Sequence, residues 1–172
     1  LNTSSGINQT FENELGKVLA DLSREFSVVP GFGFYDDGNR KNAIAVDKEV
    51  VRTTNGMIAF GRGLLAEQLS LDPTGISIAA ICAHEFAHIY QYRSGYYDKI
   101  EARYPGHVIE LHADFLAGAY LHHLEKKRPG ISLHGVGRAW EDMGSSTFNA
   151  ASTHGSNAMR LDSIQAGYFW VD

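Results

Sequence analysis

Apolar residues first recur at helical spacing. Phe11, Leu15, Val18, Leu19, Leu22 and Phe26 share a face at 3.6 residues per turn, with Thr10 a suitable N-cap. Pro30-Gly31 interrupts the pattern. A β-like stretch follows. Phe32, Phe34 and Tyr35 form a short aromatic segment, 42–46 reads as a strand, and 56–60 reads as another behind the turn signal Thr54-Asn55-Gly56. Asp36-Asp37-Gly38-Asn39 reads as a turn, because the twelve-position spacing of a calcium loop is absent. Residues 63–69 are predicted to form a short helix.

Two longer helices come next. The first is predicted over 72–94, with Asp72 as cap, Pro73 at the first helical position and Gly95 as stop. Its apolar residues, from Ile76 through Ile89, cover nearly every face, so this helix should be central and buried. The second is predicted over 105–127. Lys126-Lys127-Arg128 suits the negative end of its dipole, and Pro129-Gly130 ends it. His122 and His123, with the basic run after them, read as a solvated helix end. Residues 135–143 and 156–168 are predicted helical, with a Ser/Thr/Asn-rich loop between them. A few strands among many helices make this an α+β chain. A single domain is expected over 1–172, with an N-terminal lobe of about 1–95 and a C-terminal lobe of about 96–172.

Composition narrows the classes. Of 172 residues, 44% are hydrophobic and 20% charged, which excludes disorder as a description of the whole. Mean hydropathy is -0.21, and no apolar run approaches the roughly 20 residues of a membrane span. A net charge of -5 argues against a nucleic-acid partner. The one cysteine, Cys82, can form neither an internal disulfide nor a cysteine-cluster metal site, and reads as a buried, inert residue. The first residue is Leu1, not a methionine, which leans the expected location toward extracytoplasmic or secreted.

The buried helix carries His84-Glu85-Phe86-Ala87-His88. Histidines at i and i+4 share a face, so both imidazoles can reach one metal ion. Glu85 projects from a neighbouring direction, where it can reach a water on that ion. This is the H-E-x-x-H pattern of zinc hydrolases. With 8 histidines in the chain, chance placement predicts on the order of 0.02 occurrences, so coincidence is a poor explanation. A core helix also does not carry such groups without partners, since unpaired polar groups are costly there.

A catalytic zinc takes a third protein ligand and leaves a fourth position open. Glu110-Leu111-His112-Ala113-Asp114 lies on the next helix, far enough along for the chain to turn and return. Glu110 and Asp114 share a face at i and i+4, and the small Ala113, Ala117 and Gly118 allow close helix approach. Glu110 is read as the ligand. Asp114 is read as the carboxylate that hydrogen-bonds the far nitrogen of a ligating histidine. His112 is the competing ligand, but it points about 200° away from Glu110 around the helix and lacks such a partner.

At these residues the sequence resembles the gluzincin branch of zinc metallopeptidases, with H-E-x-x-H followed by E-x-x-x-D. It resembles most the bacterial neutral zinc metallopeptidase family, with HtpX-like and CAAX prenyl endopeptidases as near relatives. The matching segments are HEFAHIYQ at 84–91, ELHADFLAGAY at 110–120 and STHGSNAMR at 152–160, with a looser match over 42–65. The resemblance implies a zincin-like metallopeptidase fold, with a small sheet and backing helix, an active-site helix, and a mainly helical C-terminal lobe supplying Glu110. It implies one catalytic Zn2+ held by His84, His88 and Glu110, and a peptide or protein substrate. It also singles out His154, in a Ser/Thr/Gly-rich loop, as the oxyanion donor, and Arg160 as a residue anchoring a carboxylate near the site. Some members of the family are membrane-bound; this chain has no such spans.

The expected function is therefore a zinc-dependent metalloendopeptidase. Glu85 would act as general base toward a zinc-bound water and pass the proton to the departing amine. Tyr96, Tyr97 and Tyr168 are weaker oxyanion candidates. Residues 58–60 are expected as a sheet edge to which an extended peptide could add. The alternative is a catalytically silent zinc-binding module for structure or protein interaction. An intact Glu85 speaks against it, since a structural site has no use for a general base.

Overall fold

A computed structural model describes residues 1–49, 52, 54–128 and 155–170. The architecture is α+β, a small mixed sheet among helices. The described elements are α1 (Gln9–Phe26), β1 (Gly31–Tyr35), β2 (Ala43–Val46), β3 (Met57–Gly61), α2 (Arg62–Leu71), α3 (Ile76–Ser94), α4 (Tyr96–Glu101), α5 (His107–Lys127) and α6 (Asn157–Trp170). The helix expected at 135–143 and His154 lie outside the described residues.

Strand order is β1-β3-β2. β1 runs parallel to β3, from Gly31 opposite Met57 to Tyr35 opposite Gly61. β2 runs antiparallel to β3, from Ala43 opposite Phe60 to Val46 opposite Met57. This corrects the expectation for residues 58–60. They form the central strand, hydrogen-bonded on both sides, and the strand beside α3 with an outer edge is β2. Ile58 and Phe60 are buried, as a middle strand requires.

Two helix starts also differ from expectation. Asn8, not Thr10, caps α1. Its side chain accepts from the Phe11 N–H at 2.9 Å, and Thr10 already lies inside the helix. Asp72 does not open α3. Its own N–H closes α2 onto the Gln68 carbonyl, and its carboxylate reaches over the Pro73-Thr74 turn to accept from Ser77 N at 2.9 Å. α3 therefore begins at Ile76. Its C-terminal end matches the reading: Gly95 adopts φ 70°, a left-handed conformation that glycine enters without a Cβ penalty.

Asp37 holds the junction between the sheet and α2. Gly61, the N-cap residue of α2, offers no side chain for its orphan amides. The Asp37 carboxylate accepts instead from Gly63 N at 2.7 Å and Leu64 N at 3.0 Å, and from Asn42 N at 3.3 Å. Asp37→Ala should cost about 1–3 kcal/mol, because it leaves several amides unpartnered at once. Urea unfolding measures the loss. A variant as stable as wild type would show that water replaces the carboxylate there.

One hydrophobic cluster joins the helices to the sheet. Leu22 and Phe26 of α1, Phe60 of β3, Phe86 of α3, Leu121 of α5 and Ile164 of α6 all belong to it. α5 and α6 pack backbone against backbone. A Cβ on Gly118 would overlap the Ile164 carbonyl, and one on Gly167 would overlap the Phe115 carbonyl. That close approach brings Arg160 against α5. It also overturns the solvated reading for His122, while His123 is half-buried and the basic run 126–128 is exposed as expected. His122 is buried, its ring 5.0 Å from that of Tyr168. His123 places Nε2 2.7 Å from Glu25 on α1. Helical spacing alone did not reveal that α6 lies over His122 and that α1 lies beside His123.

Candidate metal centre

α3 is buried on every side over most of its length, as its apolar pattern demands. The helix therefore carries its polar groups into the interior, with His84, Glu85 and His88 each at most 9% exposed. α5 crosses α3 with Ala113 and Ala117 fully buried, so its backbone approaches closely enough for a glutamate to reach the α3 histidines.

His84, His88 and Glu110 converge. The Nε2 atoms of the two histidines stand 3.0 Å apart. Glu110 Oε2 lies 3.4 Å from His84 Nε2 and 3.6 Å from His88 Nε2. Donors held tetrahedrally about 2.0–2.2 Å from one ion stand about 3.3–3.6 Å from one another. The three donors thus outline one face of a zinc-sized tetrahedron, and residues and metal fit. His112 takes no part in this group; its Nδ1 faces Gln91 at 2.9 Å.

The far nitrogens are held as well. His84 Nδ1 lies 2.8 Å from Asp114 Oδ1. Asp114 is fully buried, and Arg160 forks onto it, Nε to Oδ2 at 2.7 Å and Nη2 to Oδ1 at 2.8 Å. His88 Nδ1 lies 2.8 Å from Gln91 Oε1. Sequence reasoning gave Gln91 no role. The available signal was its position three residues after His88, on the same helical face.

Electrostatics favour a cation. Burial would push the Asp114 pKa up, but the Arg160 and His84 contacts outweigh it and hold the carboxyl below its ordinary value. Burial would likewise lower the His84 pKa; Asp114, then Glu110, reverse this and raise it to about 10. A metal would have to displace a proton that the pocket attracts. Glu85 is pushed the other way. Burial raises its pKa, opposed by the two histidines and reinforced by Glu110. A carboxylate moved toward neutral pH is suited to exchanging protons.

Two other features among the described residues are accounted for without a metal. Asp21, Glu25 and His123 also converge, but Lys127 Nζ lies 2.8 Å from Asp21 and 3.6 Å from Glu25, so an ammonium already supplies the positive charge there. Cys82 is fully buried, and burial, with Glu85 nearby, pushes its thiol pKa up, which suits an unreactive core residue. Among the tyrosines, Tyr168 donates to Glu125 at the far end of α5. Tyr97 packs beside Tyr92, ring centroids 4.8 Å apart. The phenols of both are pushed up, chiefly by burial, with the charge of Glu110 contributing. No described helix is long and apolar enough to cross a membrane.

Scans of the chain against protein-family models, curated proteins and solved structures each find no match.

Proposed function

We propose that the protein is a zinc-dependent endopeptidase of the gluzincin type, built on a zincin-like arrangement of sheet, active-site helix and ligand-bearing second helix. The observation that carries this reading is the convergence of His84, His88 and Glu110, with Glu85 buried next to His84 on the same helix. A bound zinc ion would supply Lewis acidity to a substrate carbonyl and to an attacking water.

The chain's own groups account for the rest of the chemistry. Asp114 takes the Nδ1 proton of His84 in a hydrogen bond and so turns the Nε2 lone pair toward the ligand group. Arg160 keeps Asp114 ionised and fixed in place. Glu85 accepts a proton from the attacking water and returns it to the amine nitrogen of the leaving peptide. β2 packs against α3, the helix that carries His84, Glu85 and His88. An extended peptide could pair with the outer edge of β2, where Ile44 and Val46 are exposed. His154 is kept as oxyanion donor on the strength of the family resemblance.

The test joins metal content to cleavage. Purified protein should hold about one zinc per chain and cleave casein or a peptide library, and a chelator should abolish the cleavage. Glu110→Ala should lose zinc at concentrations that saturate the wild type, whereas His112→Ala should keep it. The reverse order would overturn the ligand assignment. Zinc binding without cleavage of any peptide would support a silent binding module instead.

A further inference from the structure

We propose that Gln91 is a positioning residue that sets the tautomer of His88 and ties it to the seating of α5, an inference resting on the metal-site reading above. The side chain is fully buried, and its amide has one acceptor and two donor hydrogens. Nε2 lies 2.8 Å from the Ile109 carbonyl oxygen and 2.9 Å from His112 Nδ1. Oε1 lies 2.8 Å from His88 Nδ1.

A carbonyl can only accept, so Ile109 decides which end of the amide is nitrogen. The opposite orientation would set two oxygens against each other in a dry interior. With the amide fixed, Oε1 can only accept, and His88 must therefore carry its proton on Nδ1. The neutral ring then presents a lone pair at Nε2, the atom facing Glu110 and His84. The second amide hydrogen goes to His112 Nδ1, which places the His112 proton on Nε2. Every polar atom of Gln91 is thus used. Its anchor on α5 is the backbone of Ile109, the residue before Glu110, so one amide sets both a histidine's donor atom and the position of the carboxylate opposite.

Gln91→Met and Gln91→Glu separate these roles. Methionine matches the length and removes all three hydrogen bonds. Glutamate keeps an acceptor for His88 but cannot donate to α5. Nitrogen-15 imidazole spectra of zinc-free protein should show His88 protonated at Nδ1 in wild type and Gln91→Glu, and shifted toward Nε2–H in Gln91→Met. Chelator competition should show zinc held about 10–100-fold more weakly by Gln91→Met. An Nε2–H tautomer of His88 in the wild type would overturn the proposal, as would Gln91→Met with wild-type tautomer and zinc affinity. If Gln91→Met does not fold, loss of the Nδ1–H tautomer in Gln91→Glu overturns it and retention supports it. A wild type that takes up no zinc sinks the peptidase reading, while the zinc-free spectra still decide the role of Gln91.

Discussion

Glu85→Gln is expected to leave zinc bound at about one ion per chain and to reduce peptide cleavage by about a hundred- to ten-thousand-fold. The amide keeps the size of the side chain and its hydrogen-bonding reach, but it can no longer take a proton from water. Glu85 stands outside the ligand group formed by His84, His88 and Glu110, so metal retention should not depend on its charge. Folding should not suffer either. Burial already disfavours the charged carboxylate, as its raised pKa shows, and a neutral amide relieves that cost. Metal analysis, cleavage rates and thermal unfolding on the same preparations give the three readings. Cleavage at the wild-type rate would remove Glu85 as general base.

Arg160→Met should produce the largest loss of stability, about 3–5 kcal/mol, because it strands a carboxylate in the core. Asp114 has no exposed surface and holds the Arg160 guanidinium through two hydrogen bonds. Removing the guanidinium leaves a desolvated charge facing one imidazole. Urea unfolding of Arg160→Met, Asp114→Asn and the double variant measures the coupling. The double variant should recover much of the loss, since a neutral amide is far cheaper to bury than a lone carboxylate. Additive losses would mean that Arg160 acts through other contacts. The same pair links stability to pH. The folded-state pKa of Asp114 is depressed, so its contribution is complete above the unfolded value of about 3.9. It is lost as the pH falls from there through the folded-state value. In Arg160→Met this part of the acid sensitivity should shrink.

The helical elements that carry the site were readable because their information is local. Glu110 and Asp114, like His84 and His88, are four residues apart, and a helix puts such pairs on one face whatever surrounds it. The apolar residues around each pair likewise foretold a buried setting for α3. Strand pairing is different. Residues 43–46 and 57–61 look alike as strands, and only β1, packing parallel against β3, leaves β2 at the edge. Asp37 reads as a turn residue, and its capping of α2 depends on contacts 26 and 27 residues away. His122 sits where helix-end charge suggests solvent, until α6 lies over it.

By itself the sequence determined which faces of α3 and α5 bear imidazoles and carboxylates, since those follow from a 3.6-residue period and from side-chain chemistry. Tertiary structure decided the distances between the faces, the partner of each far nitrogen and, among the described residues, which strand lies at the centre of the sheet. Those quantities depend on how closely helices seat and how strands register, and both are set by side-chain volumes and backbone hydrogen bonds between segments remote along the chain.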